Sequence, residues 1–335
     1  MLKKILATAL IATFSFSSVN EVNIYSHRHY DSDKQLYKMF EKDTGIKVNI
    51  VKAKANELIN RLENEGKNSP ADILITSDAG RLYLAQQKGL LQTIDSKVLN
   101  ESIPENLRQK DGYWFALTKR ARVIVYNKDK VNPNELSTYE ALTDASLKGK
   151  VLVRQSNNIY NQSLLASIIA HDGKVKAKEW AQGMVNNFAR DPKGSDRDQM
   201  KAVAAGIGDI AVVNTYYLGK LLNSKKPAEV LVGEKMAVFF PNQNGRGTHI
   251  NISGAGVTKY SKNKENAVKL LEFLVSPKAQ SMFAQANYEY PVNKNVEPSE
   301  LLKSWGTFKE DSLDLEALGM NNAQAVKIFN EVKWK

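Results

Sequence analysis

The chain is 335 residues long, 42% hydrophobic and free of cysteine, which supplies enough apolar material for two cores and excludes disulfide staples and thiolate metal sites. Its formal charge is +11, but the lysines are scattered over many predicted helices and no run of them is interleaved with aromatics, so nucleic acid is not expected as a partner. Beyond the first residues, no stretch approaches the ~20 apolar residues that a transmembrane helix needs.

Lys3 and Lys4, the uncharged run 5–16 and the small residues Ser15, Ser17 and Ser18 form the pattern of a secretory signal peptide over 1–18. Its removal leaves 45 basic against 36 acidic residues, or +9. With no cysteine to lipidate, the mature chain is expected to be soluble in a Gram-negative periplasm. The first strand, Val22 to Ser26, runs into His27-Arg28-His29-Tyr30. A helix over 31–44 follows, with Leu36, Met39 and Phe40 at helical spacing and Gly45 as its stop. A strand at 46–51, a helix at 55–65, a strand at 71–76 and a helix at 81–88 continue the pattern. Further strands are predicted at 123–126, 150–153, 209–213, 236–240 and 252–258, separated by helices around 161–171, 177–189, 197–205 and 263–275.

This alternation predicts an α/β fold of mostly parallel sheets flanked by helices, with ligands collecting beyond the C-terminal strand ends. No Pro/Gly/Ser-rich linker is visible, so two lobes are expected to share a hinge of crossing segments near 115–122 and 247–253. The implied division is 21–118 plus 248–300 for lobe 1 and 119–247 plus 301–335 for lobe 2.

Residues 210–217, Ile-Ala-Val-Val-Asn-Thr-Tyr-Tyr, say most about chemistry. Neighbouring side chains converge only where a strand gives way to a helix, and the run 218–222 supplies that helix. Tyr216 and Tyr217 then present adjacent phenols, as Tyr30 does after the first strand. A phenol with pKa ~10 costs about 4 kcal/mol to deprotonate at pH 7. Three or four such ligands cost roughly 12–16 kcal/mol, which a hard trivalent ion offsets far better than a divalent one, and Fe(III) is the natural candidate. Taken alone, Tyr216-Tyr217 also fits an ordinary helix start, Tyr30 a surface residue and Tyr160 a loop tyrosine. His27 and His29 would share a face if the strand continued, and a zinc site would have to borrow Asp31 or Asp33. In Lys119-Arg120-Ala121-Arg122, a solvated rim and a cleft-facing Arg120 that offsets phenolate charge or holds an anion are both open. There is no phosphate loop, dinucleotide fingerprint or nucleophile elbow.

Ile24-Tyr-Ser-His-Arg-His-Tyr30, Thr44-Gly-Ile-Lys-Val48, Ser69-Pro-Ala-Asp72, Arg120-Ala-Arg-Val-Ile-Val-Tyr126, Asn214-Thr-Tyr-Tyr217 and Tyr290-Pro-Val-Asn293 together resemble the periplasmic ferric-ion-binding proteins of bacterial iron ABC transporters. These are two-lobed (type II) periplasmic binding proteins, and the likeness covers nearly the whole mature chain. The resemblance implies Fe(III) held between lobes by Tyr216, Tyr217 and Tyr160 from one side and Tyr30, with or without His29, from the other. It assigns Arg120 to an anion such as carbonate, and implies a monomer delivering iron to an inner-membrane permease. Some members use a glutamate after the Ala-Asp strand; Thr76-Ser77-Asp78 stands there instead, so the likeness is to the tyrosine-rich subclass. The alternatives are a receptor of the same fold for a polyamine, sugar or phosphonate, with Tyr216-Tyr217 as stacking platforms, and a Tyr/His ferric dioxygenase.

Overall fold

Eight strands make up one sheet in the computed structural model, which describes residues 20–28 and 30–335. The expected signal peptide (1–18) and His29 lie outside the described residues. The strands are β1 (Glu21–Ser26), β2 (Lys47–Lys52), β3 (Ile73–Ser77), β4 (Phe115–Asn127), β5 (Val151–Leu152), β6 (Ile210–Asn214), β7 (Met236–Phe239) and β8 (Ile250–Val257). Their spatial order is β2-β1-β3-β8-β4-β6-β5, with β7 also on β4.

The expectation of mostly parallel sheets needs refinement. β1 pairs parallel with β2 and β3, and β5 with β6, but every pairing of β4 and β8 is antiparallel. The reason lies in β4, whose first half (115–121) pairs with β8 and whose second half (122–127) pairs with β6 and β7. It therefore crosses from one half of the molecule to the other, and β8 returns beside it in the opposite sense. An apolar run records burial but not direction, so periodicity alone could not reveal this.

Helices cover both halves. The Asp31–Thr44 helix buries Leu36, Tyr37 and Phe40 and stops at Gly45, whose φ of 69° is left-handed. Residues 159–187 form two helices meeting at Gly173 (φ 82°, ψ 169°), which no side-chain-bearing residue adopts easily. One apolar core gathers Ile24, Leu36, Leu58, Ile75 and Leu270 and reaches through β4 to Val213 and Leu218. The second gathers Ile124, Leu165, Trp180, Val212 and Phe329.

A third segment binds the crossing. Thr248 donates its backbone N–H to Lys309 and accepts from Asp311, while Lys119 of β4 pairs with Glu310 at 2.6 Å. His171 meets Asp311 at 2.8 Å. Gly247 (φ 96°) permits this close approach, because a Cβ there would lie 2.7 Å from the Glu310 carbonyl carbon.

Beside this crossing His249 is buried, and desolvation, helped by Arg122 and Arg120, pushes its pKa down to about 3. An unfolded histidine titrates near ~6.5, so between those values the unfolded chain binds the extra proton and stability falls as pH falls. At pH 5 this one residue is expected to cost about 2 kcal/mol relative to pH 7. In urea melts at the two pH values, His249→Gln should lose less stability on acidification than the wild type, and equal losses would contradict the assignment.

Candidate metal and anion cleft

Three helix starts bring their aromatic residues to one cleft of about 320 Å³. Tyr30 is the N-cap of the Asp31–Thr44 helix, reached after β1 ends at Ser26. Tyr160 is the second residue of the Ile159–Asn187 helix, whose N-cap Asn158 accepts a hydrogen bond from its backbone N–H at 3.2 Å. Tyr216 and Tyr217 open the Thr215–Leu222 helix immediately after β6. The chain therefore turns from strand to helix where the sequence places the double tyrosine. Each helix directs the positive end of its dipole toward the cleft, a field that favours negative oxygen over neutral phenol.

Tyr160 and Tyr216 hydroxyls lie 3.3 Å apart, and the Tyr216 and Tyr217 ring centres 4.2 Å apart. Burial pushes the phenol pKa values of Tyr216, Tyr217 and Tyr30 above their ordinary range. Neighbouring phenols push the first two further up, and Glu289 does the same for Tyr30, whereas Arg120 works the other way at Tyr216 and Arg28 at Tyr30. Unaided, these phenols keep their protons; a concentrated positive charge among them reverses the balance.

Arg120 lies in the same cleft, its guanidinium carbon 5.3 Å from the Tyr160 ring centre. It is 2% exposed, yet Nε, Nη1 and Nη2 have no hydrogen-bond partner among the described residues. A buried cation with five unused donors is costly, and a planar oxyanion would satisfy it. Alternation along β4 separates Arg120 from Lys119, which turns to Glu310. Arg122, on the same face as Arg120, is consumed by Asp196 (3.1 Å), Asn214 (3.0 Å) and Asn161 (2.7 Å). Within this basic run Lys119 and Arg122 are engaged with carboxylates, and Arg120 lines the cleft with its donors unused.

His27 lines the cleft, but its Nδ1 is 3.3 Å from the Ala53 carbonyl and the first strand ends at Ser26, before it. Among the described residues no three histidine or carboxylate side chains are grouped to hold a metal ion. Ser77 lines the cleft, while Asp78 is buried, capping Gly80 and accepting from Ser163 at 2.9 and 2.8 Å.

Several lining residues were not singled out from sequence: Arg28, Arg81, Arg154, Arg197, Lys220 and Glu289. Only for Lys220 did the sequence carry a signal, its place four residues after Tyr216 on a predicted helix. Burial pulls its pKa down to about 8. Arg28 is held by Asp33 and Glu289 at 3.1 Å each, and its guanidinium carbon sits 4.9 Å from the Tyr30 ring centre.

Comparison with known proteins agrees with this architecture. Residues 35–310 match the family of bacterial extracellular solute-binding proteins. Iron uptake protein A1 of Synechocystis is 52% identical over 94% of this chain and 88% of its own length. The solved structure of the Trichodesmium protein IdiA (FutA) with iron and citrate ligands is 54% identical, covering 94% of this chain and 100% of that one with a TM-score of 0.92. The Campylobacter jejuni ferric binding protein gives 50% identity, 94% and 100% coverage and a TM-score of 0.89. These relatives are binding and uptake proteins, not enzymes, and their fold is the two-lobed one. The chain belongs to the bacterial extracellular solute-binding protein family.

Proposed function

We propose that this protein captures Fe(III) between its lobes through the phenolates of Tyr216, Tyr217, Tyr160 and Tyr30, and delivers it to an inner-membrane ABC permease. The observation that carries the reading is the meeting of four phenols from three helix starts in one cleft, beside a buried arginine with unused donors. His29, next to Tyr30, is the further donor to test. Arg120 is assigned to an anion accompanying the metal, such as carbonate; the Trichodesmium relative carries iron with citrate.

Binding and motion are coupled because the donors belong to opposite sides of the hinge. We assign 21–118 with 248–300 to the Tyr30 lobe and 119–247 with 301–335 to the other. A cation gripped from both sides favours the closed form by its differential affinity, and closure is the state a permease would read. Release follows reduction or acid, since ferrous iron repays phenol deprotonation poorly. The protein is assigned to the periplasm as a monomer; among the described residues no helix is long and apolar enough to cross a membrane.

Adding ferric salt to the protein is expected to produce the visible charge-transfer band of phenolate bound to Fe(III). Tyr216→Phe should lower ferric affinity by more than about 100-fold, exceeding the loss seen when merely supporting groups are removed. Unchanged spectra and affinity in both Tyr216→Phe and Tyr30→Phe would remove the site.

A further inference from the structure

Lys220 follows Tyr216 by one helical turn, so the two side chains leave the Thr215–Leu222 helix on the same face. Its Nζ is 5.3 Å from the Tyr216 ring centre and 3.6 Å from that of Tyr30. One ammonium thus touches a phenol from each wall of the cleft. The carboxylates that face it, Glu289 and Asp33, are both engaged by Arg28 at 3.1 Å, and Arg197 and Arg28 are the other cations around it. With its counter-ions already taken, the ammonium rests on aromatic faces, where the ring quadrupole attracts it.

We infer that Lys220 is a positioning residue, reaching from the Tyr216–Tyr217 wall to hold the Tyr30 ring in line with that pair as the two walls come together. This rests on the ferric reading of the cleft. Arg28 backs the same ring at 4.9 Å from its own side, anchored by two carboxylates, whereas Lys220 is the contact that spans the cleft. An attraction between ammonium and ring strengthens once the ring carries phenolate charge, so the contact persists into the loaded state.

The experiment is a ferric nitrilotriacetate titration of the intact protein, with Lys220→Met, Lys220→Arg, Tyr30→Phe and the Lys220→Met/Tyr30→Phe double variant. Lys220→Met should weaken binding about 10- to 100-fold and alter the charge-transfer band, as loss of an orienting partner does. Lys220→Arg should restore both. Because Lys220 acts through Tyr30, the methionine substitution should cost little more once Tyr30 is phenylalanine. Wild-type affinity in Lys220→Met, tighter binding, or an equal loss with and without the Tyr30 hydroxyl would overturn the inference. Should Lys220→Met lose its cooperative urea transition, Lys220→Gln takes its place. A wild-type protein with no ferric band would remove the underlying reading instead, a result distinct from a normal band in the wild type that Lys220→Met leaves unmoved.

Discussion

Acidification from pH 7 to pH 6 is expected to lower ferric affinity by about 10³- to 10⁴-fold. Each phenol that binds must surrender a proton, and well below its pKa each surrendered proton contributes a tenfold loss per pH unit. Tyr30, Tyr216 and Tyr217 start higher than an ordinary tyrosine because burial penalises their phenolates. The sign follows directly: protons and metal compete for the same oxygens, so affinity rises with pH throughout the neutral range. Competition against a chelator whose own proton uptake is known gives the slope. Tyr216→Phe should reduce that slope by about one proton. A slope below one proton in the wild type would contradict phenolate coordination, whatever the affinity.

The largest effect on stability is expected at Arg28. Its guanidinium donates to Asp33 through Nε (3.2 Å) and Nη2 (3.1 Å), to Glu289 through Nη2 (3.1 Å), and to Thr118 Oγ1 at 3.2 Å. Arginine and both carboxylates are buried. Arg28→Ala leaves two carboxylates without their counter-ion, a change worth about 3–5 kcal/mol for a broken buried pair. In thermal melts this corresponds to a fall in Tm on the order of 10 °C. A Tm within a degree or two of wild type would mean that water or a neighbouring cation replaces the guanidinium. The same substitution should weaken metal binding, because Tyr30 loses the cation beside its ring.

Much of the fold could be read from residue order. Gly45 and Gly66 mark the ends of helices predicted at 31–44 and 55–65, and the structure has Asp31–Thr44 and Ala55–Glu65. Crossings expected near 115–122 and 247–253 correspond to β4 and β8, because a shared strand needs no flexible linker. Strand direction was not legible, since 252–258 reads equally apolar whichever way it runs. The Pro277–Asn287 helix was passed over although Ser276 and Pro277 carry its capping signal. At the cleft, Tyr216-Tyr217 was legible because adjacent phenols at a strand-to-helix junction are unusual in one dimension. Arg154, Arg197 and Glu289 were not, because nothing local distinguishes them from solvated charges until folding sets them opposite the tyrosines.

The segment around Lys309–Asp311 has a consequence for how the two halves are joined. Two strands, β4 and β8, join the halves, and this segment adds a third attachment pinned beside them at Thr248 and Lys119. β4 and β8 supply Arg120 and Ser253 to the cleft, so the strands that join the two halves also line it. On the ferric reading proposed above, any shift of these joining strands would move Arg120 relative to the tyrosines, so the anchoring of Lys309–Asp311 bears on the geometry of the bound ion.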